Sequence, residues 1–311
     1  MAMPGWFHEL AAEVRNWGRW GADDEIGTIN LIDSAARRRG AASVKSGRAF
    51  SLALPLHADG IQTGVIEGRI NPVHTMVAIN VAMSGDPSEF CTSDDQITMG
   101  VQAATHWDGL GHVSYDGKIY NGFPASSITA DGGATKCGIE KITSITSRGV
   151  LLDIARLKGV DCLEGAYAIT GDDLEAAAEQ AKVTIEPGDI VLIRTGKMHF
   201  LGQNPPDKFG YMYPNAGPSL KSVKWFRQHD VAAVANDTLT FEVYPSEDEA
   251  AQLPVHLLHL VDMGMTQGQN FVLDALAADC AEDGQYTFLL EASPQPILGG
   301  TGTMVNPVAV K

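Results

Sequence analysis

Basic side chains are scarce in this chain. Twenty-two Lys and Arg face 38 Asp and Glu, a formal net charge of −16 over 311 residues. Phosphate recognition needs clustered cations, so nucleic acid and anionic membrane are not expected as partners. Long apolar runs are also missing, and none approaches the roughly 20 residues of a membrane-spanning helix. The four cysteines, Cys91, Cys137, Cys162 and Cys280, are scattered with no C-x-x-C pair. That pattern argues against a zinc knuckle or a disulfide frame and fits a reducing compartment. The opening "MAMPGWFHELAAEVRNW" holds acidic residues and no apolar signal core, so a cytoplasmic location is expected. "GGTG" at Gly299 lacks the Lys pattern of a phosphate-binding loop. There is no internal repeat, low-complexity tract or obvious linker.

What is present is ample apolar material, 44% of the residues. It suffices for a sizeable core, and residues 1–311 read as a single domain. Trp6, Leu10 and Val14 recur at four-residue steps and predict a helix over Pro4–Trp17. Ala49–Leu56 and Val73–Met83 read as strands. Gly149–Ala155 and Asp189–Gly196 are short apolar runs of the buried-strand kind. Between them, Thr170 precedes Asp173 at capping-box spacing ahead of an Ala- and Glu-rich helix. Helices are expected over Ser219–His229, Leu253–Met263 and Leu273–Glu282, with strands over Val231–Asp237 and Tyr286–Ala292. The first half is rich in strands and the second alternates, which predicts a mixed α/β architecture.

The densest chemistry lies in "GVQAATHWDGLGH". Gln102, His106, Asp108 and His112 all fall at even positions, so an extended backbone would turn them to one face. Gly109 and Gly111 make a perfect strand unexpected but let the backbone curl around one point. Imidazole and carboxylate together suit Zn(II), Mn(II) or Fe(II). The alternative is a loop whose His and Asp merely bond to one another.

"QAATHWDGLGH" resembles the H-x-G-T-H-x-D-x-P-x-H signature of the cyclase family, a group of metal-dependent hydrolases that includes kynurenine formamidase and isatin hydrolase. Thr105, His106, Asp108 and His112 match. Gln102 replaces the first His, Ala104 the Gly and Leu110 the Pro. "WGADDEIGTINLI", "YNG", "RGVLLDIA", "GDIVLIRTG" and the tail "VNPVAVK" extend the similarity to the family's longer members. The resemblance implies a mixed sheet core with flanking helices, of the swivelling β/β/α kind. It also implies a later His followed by a Glu at the metal site. "PVHLLHLVDMGMTQGQNF" occupies that region, with His256 the better match and His259 the other candidate, and Gln269 standing where the Glu would be.

Two amides in place of charged or imidazole ligands imply one divalent ion, Mn(II) or Zn(II), where fuller sites hold two. On this reading Gln102, His106 and Asp108 hold the metal, and His112 and His256 bind it too or handle protons. The implied reaction is attack of a metal-bound hydroxide on the carbonyl of a small cyclic amide, imide or lactone, or of an aryl formamide. A family member that binds without hydrolysing, or a true cyclase or dehydratase, is the alternative. Trp20, Trp107, Tyr120 and Phe123 are candidates for an aromatic substrate pocket, with Gln269 as a further substrate contact; plain core packing is the other reading of each aromatic. Asp237, in "VANDT", either orients a ligand histidine or caps a turn. A homodimer or homotetramer is implied.

Overall fold

The computed structural model describes residues 3–311. Its centre is a nine-stranded mixed sheet. Four neighbouring strands run parallel: Thr146–Asp153, Ile190–Arg194, Ala233–Asn236 and Thr266–Gln269. On one side the sheet continues antiparallel through Thr287–Glu291, Val308–Val310 and Ala49–Ser51. On the other side it ends with His106–Asp108 and Gly302–Met304, each pairing antiparallel.

The central strands are apolar throughout because both faces are covered. Successive residues serve different cores. Val150, Leu152, Val191, Ile193 and Val234 face one cluster with helices Gly5–Val14, Gly171–Ala181 and Val223–Gln228. Leu151, Ile190, Leu192, Ala233 and Ala235 face the other, with helix Asp274–Asp283 and the carboxy-terminal strands. The period-two alternation of a strand thus divides one hydrophobic run between two layers.

Most expected elements occur, with shifted ends. The first helix buries Phe7, Ala11 and Val14, so its inner face lies one residue round from Trp6 and Leu10, which pack at the margin. The capping box is formed: Thr170 accepts from the Asp173 N–H, and the Asp173 carboxylate accepts from the Thr170 N–H. Thr170→Ala should therefore cost about 1 kcal/mol in a urea unfolding experiment.

The helix expected from Ser219 begins at Val223, because Gly217–Pro218 first pairs with Ala168–Ile169 and the Ser219 N–H continues to the Ile169 carbonyl. The strand expected to reach Leu56 stops at Ser51. Beyond it, the Leu54 N–H turns to the Thr105 hydroxyl. The helix expected over Leu253–Met263 is a short α turn, Pro254–His256, followed by a π-helical segment, Leu257–Met263. Gly264 closes it in the left-handed conformation, with no room for a side chain against the Tyr120 ring. Among the described residues no helix is long and apolar enough to cross a membrane.

Candidate metal and catalytic centre

His106–Asp108 is a true strand despite the glycines after it. It lies between Thr266–Gln269 and Gly302–Met304, with His106 opposite Gln269 and Asp108 opposite Gln267 and Gly302. Alternation sends His106 and Asp108 to one face and Trp107 to the other. Gly109 then leaves the sheet where a Cβ would meet the Thr301 carbonyl at 3.0 Å. The turn that follows brings His112 back to Asp108.

His106 Nε2 lies 3.4 Å and His112 Nε2 3.6 Å from Asp108 Oδ1. His256 Nε2 lies 3.9 Å from Asp108 Oδ2. Burial drives the Asp108 carboxyl upward, but the positive charge that His112, His106 and His256 carry when protonated outweighs it and holds the group well below the ordinary carboxylate range. For His112, the attraction of Asp108 is outweighed by desolvation and by the neighbouring His256, His106 and Arg69, so it is shifted toward the neutral form.

His106 and His256 are each aimed by the other ring nitrogen. His106 Nδ1 donates to the Ala104 carbonyl at 2.7 Å, which leaves Nε2 as a lone pair facing Asp108. Asn270 braces this arrangement. Its amide donates to Ala104 O at 2.9 Å, its carbonyl accepts from Thr105 Oγ1 at 2.6 Å, and its side-chain oxygen accepts from the buried Tyr211 hydroxyl at 2.6 Å. His256 sits in the first turn of its helix. Glu242 accepts from the N–H groups of Val255 and His256 and from His256 Nδ1 at 2.5 Å. One buried carboxylate thus caps the helix and turns the His256 Nε2 lone pair toward Asp108.

Gln269 joins the two halves. Its amide nitrogen donates to Asp108 Oδ2 at 2.6 Å and lies 3.3 Å from His256 Nε2. This satisfies one carboxylate oxygen only. The other, Asp108 Oδ1, and His106 Nε2 are fully buried without a partner. Uncompensated buried acceptors are costly, and a cation between them would satisfy both. Among the described residues no three His, Cys, Asp or Glu side chains form a ready-made metal cage. The fit rests on the two orphaned acceptors and the donor chemistry.

The other residues singled out in the sequence are placed as follows. Gln102 reaches the same face one strand over, its amide against Gly302 opposite Asp108. His259 is not at the centre: it is fully buried between the rings of Phe226 and Phe241, and that burial pushes it down to about 3. Asp237 caps a turn, accepting from Thr195 N, Thr195 Oγ1 and Gly196 N.

The aromatic pocket expected from Trp20, Trp107 and Tyr120 is not formed by them. Trp107 is fully buried on the opposite face and donates to the Ala292 carbonyl at 2.8 Å. Tyr120 is buried, and its hydroxyl donates to Asp24 at 2.8 Å. Trp20 stacks on Arg19, which pairs with Asp230 ahead of the strand Ala233–Asn236, whereas Gln269 stands at the other end of the parallel strands. An apolar cavity of about 760 Å³ lies instead among Val65, Ile66, Phe209, Tyr213, Leu239 and Leu253, next to the segments carrying Glu242 and His256. Sequence reasoning missed Glu242, Asn270 and Tyr211. Asn270 directly follows Gln269 in the quoted stretch, but no local spacing ties it, Glu242 or Tyr211 to the histidines, and only the fold brings them there.

The arrangement is that of a mixed-sheet protein with a buried histidine–aspartate centre. The family model described as "Putative cyclase" matches residues 11–243, and the chain belongs to that cyclase family. A crystal structure of a novel cyclase is 38% identical, with a TM-score of 0.87 over 97% of this chain and 99% of that one. Isatin hydrolase A from Labrenzia aggregata, bound to benzyl benzoate, is 17% identical with a TM-score of 0.62, covering 86% of this chain and 94% of its own. A predicted metal-dependent hydrolase from Bacillus stearothermophilus is 14% identical with a TM-score of 0.54, covering 84% and 97%. Among curated proteins no sequence matches.

Proposed function

We propose that this protein is a metal-dependent hydrolase that breaks the acyl C–N or C–O bond of a small cyclic amide, imide or lactone, or cleaves an aryl formamide. The observation that carries the reading is the pairing of two orphaned buried acceptors, His106 Nε2 and Asp108 Oδ1, with a Glu242–His256 dyad beside them. The names of structural neighbours, isatin hydrolase and metal-dependent hydrolase, support the same class.

His106 and Asp108 would hold the ion through the two orphaned acceptors, with Gln102 as the third ligand and His112 beside them. A bound divalent cation, Mn(II) or Zn(II), would polarise a carbonyl and lower the pKa of water. The remaining work falls to the chain. Glu242 fixes the His256 tautomer, so Nε2 can take a proton from the attacking water and return it to the leaving nitrogen or oxygen. Asp108 stays ionised, and Asn270 keeps His106 in place. Chelation should abolish turnover of a panel of lactams, lactones and N-formyl aryl amines, and Mn(II) or Zn(II) should restore it. Full activity in the metal-stripped protein would contradict the reading.

Gln269 supports a single ion. A carboxylate there would stand beside Asp108 as a like charge and need a second cation between them; the amide supplies an N–H instead. The paired change Gln102→His with Gln269→Glu should raise the metal content from one equivalent toward two, read by elemental analysis after dialysis.

A homodimer or homotetramer is part of this proposal. The hairpin Val73–Ala82 and Cys91–Thr98 exposes Val77, Ile79, Met83 and Phe90. A two-stranded ribbon is marginal alone in water, and so many exposed apolar groups favour being covered. Light scattering on the purified protein tests it.

A further inference from the structure

Tyr211 carries a hydroxyl that packing does not need. Its ring is fully buried, clustered with Ile61, Met198 and Leu239. A phenylalanine would fill that space, and a buried hydroxyl costs free energy unless it is bonded. It has one short partner, the Asn270 side-chain oxygen at 2.6 Å, while the Asp237 carbonyl lies at 3.5 Å. The helix Lys208–Met212 delivers the ring, and Asp207 caps that helix by accepting from Gly210 N at 2.8 Å. Phe209 and Tyr213 face the apolar cavity, and Tyr211 between them turns inward.

Asn270 has little freedom of its own. Its backbone stands in the left-handed region at φ 61°. Its N–H donates to the Thr238 carbonyl at 3.1 Å, and its carbonyl accepts from Thr105 Oγ1 at 2.6 Å. What remains to be set is the sense of the side-chain amide. Its nitrogen donates to Ala104 O at 2.9 Å and lies 3.4 Å from His106 Nδ1. Ala104 O also accepts from His106 Nδ1 at 2.7 Å. A reversed amide would place its oxygen against Ala104 O and beside the His106 N–H, where it would compete for that proton. It would also take the short acceptor away from the Tyr211 proton, so the hydroxyl holds the present sense.

We propose that Tyr211 is a positioning residue for the metal ligand His106, acting through the Asn270 amide. The hydroxyl fixes the amide, the amide shares the Ala104 carbonyl with His106, and the imidazole keeps Nε2 turned to Asp108. The helix that walls the apolar cavity thereby also sets the metal site. This rests on His106 being a ligand, as in the function proposed above. Outer partners of ligating histidines are commonly worth about 10–100-fold in metal affinity.

The test compares wild type, Tyr211→Phe, Asn270→Gly and the double variant, each titrated with Zn(II) and with Mn(II) against a chelating dye. Glycine is chosen at 270 because it accepts the left-handed backbone. Tyr211→Phe keeps the ring and loses only the hydroxyl, and its metal affinity should fall about tenfold. In the Asn270→Gly background the same change should cost no further affinity, because the path is already cut. Thr170→Ala, which weakens a helix cap elsewhere, is the control for lost stability and should leave affinity unchanged.

The metal-free protein gives a second readout by NMR. The His106 Nδ1 proton, identified by its loss in His106→Gln, should shift and exchange faster with solvent in Tyr211→Phe. Unchanged affinity in Tyr211→Phe, or a further loss in the double variant, overturns the proposal. If wild type takes up neither ion, the ligand assignment fails instead. The Nδ1 proton then decides the part played by Tyr211, and an unchanged signal in Tyr211→Phe overturns it.

Discussion

Replacing His256 by Gln is expected to lower turnover by about 10²–10⁴-fold, the usual worth of a positioned general base, while the metal stays bound. The reason lies in the geometry of Nε2. Glu242 holds Nδ1 at 2.5 Å, so the free lone pair points to the Gln269 amide and Asp108. A glutamine side chain can fill the volume but cannot exchange a proton near neutrality. Glu242→Gln should produce a milder version of the same defect. It removes the charge that stabilises a protonated His256 and weakens the helix cap made at Val255 and His256. The check is kcat on the lactam, lactone and formamide panel alongside metal content. A His256→Gln enzyme with unchanged kcat would remove His256 from the mechanism.

The second large effect concerns the ligands. His106→Ala and Asp108→Ala should lose metal and turnover together, by more than the roughly 10–100-fold typical of an outer-shell change. Asp108 is the carboxylate on which three imidazoles converge, and one of its oxygens is already taken by Gln269. Removing it leaves those imidazoles facing one another with no anion. Removing His106 exposes the Ala104 carbonyl and the Asn270 amide that now brace it. Stoichiometric metal and a normal rate in either variant would show that the ligands are elsewhere.

Much of the fold was legible because strong local signals govern it. The runs around Leu151 and Leu192 are apolar on every residue because two layers cover them, and Thr170 with Asp173 forms its box as the spacing requires. His106, Asp108 and His112 were legible as a row because strand alternation puts the first two on one face. The same alternation would have removed Trp107 from the pocket, since it is the odd residue between them. What was not legible depends on chain ends meeting. Glu242 acts on a histidine fourteen residues away, and Asn270 supports one 164 residues away. The loop Trp20–Ile32 carried a strong resemblance, and it proves to be a clamp: Asp24 accepts from Tyr120 and Asn30, and Glu25 pairs with Lys136.

One ion is expected between His106 and Asp108. Elemental analysis of the dialysed protein, beside Asp108→Ala handled identically, tests it most directly. One equivalent of Mn or Zn per wild-type chain, and almost none in the variant, is the expected result. A wild-type chain that holds no metal after exposure to either ion, or a variant that retains a full equivalent, would contradict it.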